Sequence, residues 1–373
     1  MRIVVSFIAL VTLINCVVSN ATPRLTHVDD FKTIDDRIRP FIDELVKNDQ
    51  FSGVVLIAKG QQTIYQGAYG KADLANNKAT TLDTKYNLAS TTKSFTGVAV
   101  AQLAQAGKLS FRDPLGKFIP QCPEKLRDIT IHQLLSHTGG TGDVIASRAF
   151  RNDPTKFKSL SDYIEVVLSE PLAGERGAFH YSDSGYVLLG AVIEKASGQS
   201  YYEYVKRSVF LPAGMKDSGF ALIPRPTNLA IGYTSRDLSN STYAHKDGSR
   251  QRNDSILPTI AAPSAAAYST ANDLMKFSTA LHNHVLLNEG FLSMLFSGQI
   301  ATDRQPPNQK YAYGFFEGSL GNTHIINQGG TGPGIDVGFD IFPDLGYTVV
   351  ILSNYDPPAA QRIRDKLRSM IAE

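Results

Sequence analysis

Ser90 and Lys93 put a hydroxyl and an amine three residues apart. On a helix that spacing places both side chains on one face, one above the other. The residues that follow, Phe95, Val98, Ala99, Val100, Ala101, Leu103, Ala104 and Ala106, leave almost no polar stripe. A helix of that pattern is buried on all sides. Gly107 is placed to end it, because glycine takes the left-handed turn without steric cost. The first turn of a helix also carries free N–H groups and the positive end of the dipole. A buried ammonium needs a partner or loses its proton. A lysine that shares or has lost its proton can activate a neighbouring hydroxyl as a nucleophile. Ser-x-x-Lys alone arises about once by chance in a chain this long, and it reads equally well as an ordinary helix start. Its place at the mouth of an apolar helix is what points to a nucleophile.

Two further fragments carry candidate chemistry. In Tyr181-Ser182-Asp183 the phenol can shuttle a proton beside an ammonium. The plain alternative is a tyrosine packed before a helix that Ser182 or Asp183 caps. Asn327-Gln328-Gly329-Gly330-Thr331-Gly332-Pro333-Gly334 follows a strand, and its glycines permit close approach of backbone to a ligand. A simple turn between strands explains it as well.

The elements that must position these residues are legible in outline. A chain of 373 residues exceeds one compact core, so two lobes are expected. Helical spacing of Phe31, Ile34, Ile38, Phe41, Ile42 and Leu45 predicts an amphipathic helix over 29–47. Strands are predicted over 53–58 and 63–69, joined as a hairpin through Lys59-Gly60-Gln61-Gln62. Helical patterns and prolines dominate residues 111–254, with a polar, irregular loop over 234–255. Thr270 caps another helix, with Asp273 three residues on. Strands return over 311–317, 323–327, 337–342 and 347–352, and a closing helix spans 358–371. The predicted fold class is α+β: an antiparallel sheet flanked by helices, with an inserted, mainly helical lobe. The α/β lobe takes residues 22–110 and 255–373, and the helical lobe residues 111–254.

Composition narrows the function classes. Hydrophobic content of 42% and charged content of 19% fit an ordinary globular chain. A net charge of +2 gives no electrostatic case for nucleic acid or an anionic membrane. The eight histidines show no His-Glu-x-x-His spacing, and His282 and His284 point to different helix faces, so no metal or other cofactor is expected. Ser184 lacks the Gly-x-Ser-x-Gly frame of a Ser-His-Asp esterase, and His137 reads as a residue that holds a loop. Residues 1–21 have a basic start, an apolar run and the small residues Ser19-Asn20-Ala21, the layout of a cleaved signal peptide. Cys16 offers a lipid-anchor alternative, which Asn15 before it argues against. The expected location is therefore exported, periplasmic or secreted. Cys122, the one cysteine left after cleavage, lies between prolines in no catalytic context.

Together, and in this order, the three fragments resemble the active-site signature of the serine β-lactamase and penicillin-binding-protein superfamily. The nearest branch is that of class C β-lactamases, D-alanyl-D-alanine carboxypeptidases and related esterases. Leu134-Leu135-Ser136-His137-Thr138-Gly139-Gly140, Val209-Phe210-Leu211-Pro212-Ala213-Gly214-Met215, residues 263–274 and Ile351-Leu352-Ser353-Asn354-Tyr355-Asp356 extend the likeness over about residues 35–370. The resemblance implies that Ser90 is acylated, that Lys93 and Tyr181 share the general-base role, and that the N–H groups of Ser90 and Thr331 form the oxyanion hole. Asp183, Gln328 and Gly330 complete the implied substrate-binding set. A small-molecule or peptide substrate follows, and peripheral association with a membrane or cell wall is compatible with it. The oligomeric state is left open.

Two departures change charge. The family usually has asparagine where this chain has Asp183, and lysine or histidine where it has Gln328. A carboxylate beside Lys93 favours the ammonium and makes a poorer base. The neutral Gln328 removes the usual handle for a substrate carboxylate, so weak preference for carboxylate-bearing substrates is expected. Both departures keep open a non-catalytic relative that binds a peptide or peptidoglycan-like ligand in the same cleft. Smaller departures are Arg176 in place of a usual proline and residues 264–267 in place of usual glycines.

Overall fold

The computed structural model describes residues 27–238, 249–302 and 309–373. The segment 1–21 and Cys16 lie outside them. The fold is the expected mixture of helices and antiparallel sheet.

Nine strands form the main sheet: β1 (Gly53–Lys59), β2 (Gln62–Tyr69), β3 (Ile300–Ala301), β4 (Lys310–Tyr311), β5 (Phe316–Leu320), β6 (Thr323–Asn327), β7 (Gly330–Gly332), β8 (Ile335–Phe342) and β9 (Tyr347–Ser353). Their order is β2-β1-β9-β8-β6-β5-β4-β3, with β7 paired to β8. The first and last parts of the chain thus meet in the middle of one sheet, Gly53 opposite Ser353 and Lys59 opposite Tyr347. β1 reads as an unbroken apolar run because both of its faces are covered. Val54, Leu56 and Ala58 pack into one hydrophobic cluster, and Val55 and Ile57 into the other. That alternation is the period of two of a strand.

The outer face is covered by α1 (His27–Lys47) and by the last helix, so Ile34, Ile38, Ile42 and Leu45 meet Ala360, Ile363 and Leu367 over the sheet. Each such fully buried aliphatic side chain contributes about 1.5–3 kcal/mol. The inner face is covered by α2 (Thr92–Gln105), beyond it by α3 (Leu160–Ser169) and α4 (Asp183–Ser197), and by α5 (Ala271–His282) and α6 (Glu289–Phe296); the last helix, on the outer side, is α7 (Ala359–Ala372). Among the described residues, 111–254 hold helices and only two short strands, Tyr233–Thr234 and Gln251–Arg252, paired with each other. No described helix is long and apolar enough to cross a membrane.

One predicted strand is broken. The run 311–317 is not continuous; it bends at Gly314, whose φ is 87°. The cause is the crossing of α2. A Cβ on Gly97 would lie 2.3 Å from the Tyr313 carbonyl oxygen, and one on Gly314 would lie 2.6 Å from that of Lys93. The backbones touch, and the Ser94 hydroxyl donates to the Gly314 carbonyl at 2.9 Å. Helix α2 is therefore clamped one residue from Lys93.

Candidate active site

Ser90 lies in a 3₁₀ turn, Ala89–Thr91, that leads into α2; the α-helix itself begins at Thr92 rather than at Ser90. The turn is tight because Ala89 has φ 42°, the left-handed region. The Asn87 carboxamide oxygen accepts the Ala89 N–H at 2.9 Å, and the Thr92 hydroxyl donates to the Ala89 carbonyl at 2.7 Å. This bend lifts Ser90, half-buried, to the floor of a cleft of about 350 Å³ that Asp143, Tyr181, Asp183, Gln328 and Thr331 also line. At the other end of α2, Gly107 closes the helix at φ 67°, as its sequence position predicts.

Lys93 is fully buried. Its Nζ donates to Ser90 Oγ at 3.2 Å, to Asp183 Oδ1 at 2.6 Å and to the Ser264 carbonyl at 3.0 Å. It also stands 4.6 Å from the centre of the Tyr181 ring. Burial alone lowers an ammonium pKa, but the charge of Asp183, then the charge and hydrogen bond of Tyr181, outweigh it and hold Lys93 above its ordinary value.

Tyr181 and Asp183 arrive on the start of α4. Ser182 caps that helix, accepting the Gly185 N–H at 2.9 Å, and its own hydroxyl donates to the Gly142 carbonyl at 2.6 Å. His137 Nδ1 accepts the Ser182 N–H at 3.0 Å, which places the ring proton of the neutral form on Nε2. The same ring packs 4.2 Å, centre to centre, from Tyr181. His137 is buried and thus orders the phenol from behind.

The third fragment closes the other wall. Gly330 passes so near the nucleophile turn that a Cβ there would lie 2.0 Å from the Leu88 carbonyl oxygen and 3.0 Å from Ser90 N. Thr331, next along, is exposed in the cleft. Gln328 is fully buried, and its amide nitrogen donates to the carbonyls of Ser90 at 3.2 Å and Gly329 at 3.1 Å. Its donors are spent on backbone, so it ties the nucleophile turn to the third fragment.

Residues 38–372 match the family model described as Beta-lactamase. The chain belongs to the beta-lactamase family. Among its relatives, a penicillin-binding protein of Bacillus subtilis (strain 168) is 28% identical over 327 residues, 85% of this chain and 71% of that protein. Protein flp of Staphylococcus aureus (strain N315) is 27% identical over 350 residues, 88% of this chain and 66% of that protein. The chain thus spans roughly two thirds of the length of the curated relatives it matches. The crystal structure of a penicillin-binding protein from Bacillus halodurans superposes with a TM-score of 0.78 at 29% identity, covering 88% of this chain and 99% of that one.

This beta-lactamase-family cleft contains residues that the sequence reading passed over. Asp143 follows the glycine-rich Gly139-Gly140-Thr141-Gly142, which was the available signal. Although Asp143 is exposed, its cleft side is desolvated; that desolvation and then the charge of Asp183 push its carboxyl up to about 6. The carbonyl of Ser264, a partner of Lys93, carried no signal, since any residue supplies one. Cys122 is buried in the core, its thiol raised by burial. Among the described residues no His, Cys, Asp or Glu group is arranged to hold a metal ion.

Residues 264–267, where the family usually has glycines, now have a physical reading. Ala266 sits at φ 74° and donates its N–H to the Ala89 carbonyl at 3.2 Å. The left-handed region costs a non-glycine residue about 1–2 kcal/mol. Ala266→Gly is therefore expected to stabilise this beta-lactamase-family protein by about 1 kcal/mol, after the added chain entropy of glycine is subtracted. Calorimetry should show Tm rising by about 1–2 °C; a lower Tm would mean that no strain is stored there.

Proposed function

We propose that this chain is an exported serine hydrolase that cleaves an amide or ester through an acyl-Ser90 intermediate. The observation that carries the reading is the convergence on Lys93 Nζ of Ser90 Oγ at 3.2 Å, Asp183 at 2.6 Å and the Tyr181 phenol. An ammonium already aimed at Asp183 and at the Ser264 carbonyl donates to Ser90 Oγ and cannot accept its proton. Tyr181 is then the group that takes the proton as Ser90 attacks the carbonyl carbon, with Lys93 holding the phenolate form in place. The N–H groups of Ser90 and Thr331 receive the oxyanion, each worth about 3 kcal/mol in the transition state. Tyr181 returns the proton to the leaving group, and water then frees the acyl group from Ser90. Export rests on the pattern of residues 1–21.

The test is mass spectrometry of the protein after exposure to a fluorophosphonate and to a penicillin. The expected result is an adduct on the Ser90 peptide that turns over with the β-lactam or with a simple ester. No adduct with either probe overturns the reading. A second reading, a non-catalytic binder, is favoured by the 2.6 Å Lys93–Asp183 ion pair, which keeps the amine protonated; a stable adduct that never turns over would support it.

The same ion pair sets the pH dependence. Asp183 raises Lys93, so the free amine forms only at high pH. With Asp183→Asn the raising charge is gone and burial alone acts, so the folded-state pKa of Lys93 falls. Because the mechanism needs the Lys93 ammonium beside Tyr181, the descending limb of kcat/KM against pH should move to lower pH in this variant. An unmoved limb would show that the charge of Lys93 does not support the reaction.

A further inference from the structure

A second, much smaller cavity lies away from the cleft, and three asparagines meet there. Asn87, Asn253 and Asn354 line a space of about 10 Å³. That is close to the room the centre of one water needs, about 10–15 Å³.

Each asparagine has one end of its amide fixed by backbone. The Asn87 carboxamide oxygen accepts the Ala89 N–H at 2.9 Å. Asn253 Nδ2 donates to the Pro333 carbonyl at 2.9 Å. Asn354 Nδ2 donates to the carbonyls of Lys71 at 3.0 Å and Ile231 at 2.8 Å. These bonds fix which end of each amide is oxygen and which is nitrogen. The opposite ends, Asn87 Nδ2, Asn253 Oδ1 and Asn354 Oδ1, are buried and have no hydrogen-bond partner among the described residues. The other polar side chains of the wall do not compete for them. The Ser353 hydroxyl donates to the Ser52 carbonyl at 2.9 Å, and the Tyr86 hydroxyl interacts with that of Thr80. One donor and two acceptors are thus gathered at one cavity. Buried polar atoms are almost always paired, by protein or by ordered water. A cation does not suit this set, because the Asn87 amide would present its protons to it. A water suits it: the oxygen accepts from Asn87, and the two protons go to Asn253 and Asn354.

We propose that this cavity is a water site, and that Asn87, held through it, is a positioning residue for Ser90. Asn87 supports Ala89, whose φ of 42° makes the turn that presents Ser90. Asn253 grips Pro333, two residues beyond Thr331 in the third fragment. Asn354 follows β9 and donates its own N–H to the Ser52 carbonyl at 3.2 Å, which anchors it to the middle of the sheet. The water therefore joins the turn that carries Ser90 to the segment that carries Thr331, from the side away from substrate. With no partner on its far side the Asn87 amide turns freely, and the left-handed Ala89 relaxes. The part Asn87 plays in turnover rests on the hydrolase reading; the water and the hold on Ala89 do not.

A crystal structure of the unaltered protein should show one water at hydrogen-bond distance, about 2.7–3.2 Å, from all three atoms. Asn87→Asp keeps an acceptor for the Ala89 N–H but turns the leftover donor into an acceptor. The water then has two protons for three acceptors, and the side chain is driven from its place. At about pH 8 the Ala89 N–H, followed by NMR, should exchange about tenfold faster than in the unaltered protein. On an accepted ester kcat should fall about tenfold, with KM changed less than about twofold. Burial favours the neutral form of the new carboxyl, and protonation gives back an O–H donor. Both differences should therefore shrink to about twofold near pH 5. Asn87→Ala, which removes both ends, should show the same losses with no recovery at the lower pH. A dry cavity, unchanged Ala89 exchange, differences in Asn87→Asp that persist at the lower pH, or recovery in Asn87→Ala would each overturn the proposal. So would an unmoved kcat in a protein that forms the Ser90 adduct. A protein that forms no adduct fails the hydrolase reading alone, and the density and the Ala89 exchange still decide this one.

Discussion

Lys93→Met should lower turnover of any accepted ester by about a thousandfold, within the range lost when a general-base system is removed. Methionine keeps the length and apolar character of a side chain that has no exposure to solvent, so the packing of α2 is preserved. What goes is the ammonium that bridges Ser90 Oγ, Asp183 and the Ser264 carbonyl. Tyr181 then loses the charge that holds its phenolate form. Stability should fall as well, by about 3 kcal/mol, because Asp183 is left as a carboxylate only 13% exposed and without its partner. These two losses are separable. The double variant Lys93→Met/Asp183→Asn removes both charges and should recover most of the lost Tm while staying inactive. A double variant that regains turnover would show that Lys93 serves structure alone. Stopped-flow measurement of acylation, with Tm measured on the same samples, reads both outcomes.

Sequence and structure diverge at particular places, and each has a cause. The Ser90 and Lys93 pairing was legible because helical spacing and an apolar helix are local properties. The strand Gly53–Lys59 was legible because burial on two faces leaves an unbroken apolar run. The break at Gly314 was not, because it is imposed by α2 crossing from elsewhere in the chain. The left-handed Ala89 and Ala266 were not, because alanine carries no sign of that conformation; only contact between their two loops explains them. Gln328 was read for the charge it lacks, while the buried direction of its amide, toward the Ser90 carbonyl, needed coordinates. The course of α7 was the least visible of all, because nothing in the spacing of an amphipathic helix says that it lies along the cleft as well as over the sheet.

Gly330→Ala should cut kcat on the same ester by about a hundredfold and lower stability by about 1–3 kcal/mol. The added Cβ would stand 2.0 Å from the Leu88 carbonyl oxygen, a backbone atom, so rotation of a side chain cannot relieve the contact. The nucleophile turn cannot easily retreat. Leu88 donates its N–H to the Ala267 carbonyl at 2.7 Å, and its own carbonyl accepts the Thr91 N–H at 3.0 Å. The Thr91 hydroxyl in turn donates to the Gln328 carbonyl at 3.3 Å. The strain must therefore move β7, a three-residue strand whose register runs from Gly330 opposite Val337 to Gly332 opposite Ile335. Thr331 lies between, and its N–H is the proposed second donor to the oxyanion. A shift of about 1 Å withdraws that donor at the moment charge develops, which is why kcat falls more than KM changes. Gly332→Ala supplies the control, because its Cβ would meet only Ile335 side-chain atoms at 3.7 and 4.0 Å, ordinary contact. The two alanine variants share a strand, a composition change and a fold, and differ in whether the new methyl faces the Leu88 carbonyl. Equal activity in both would mean that close approach of β7 to the Ser90 turn is not what builds the oxyanion site.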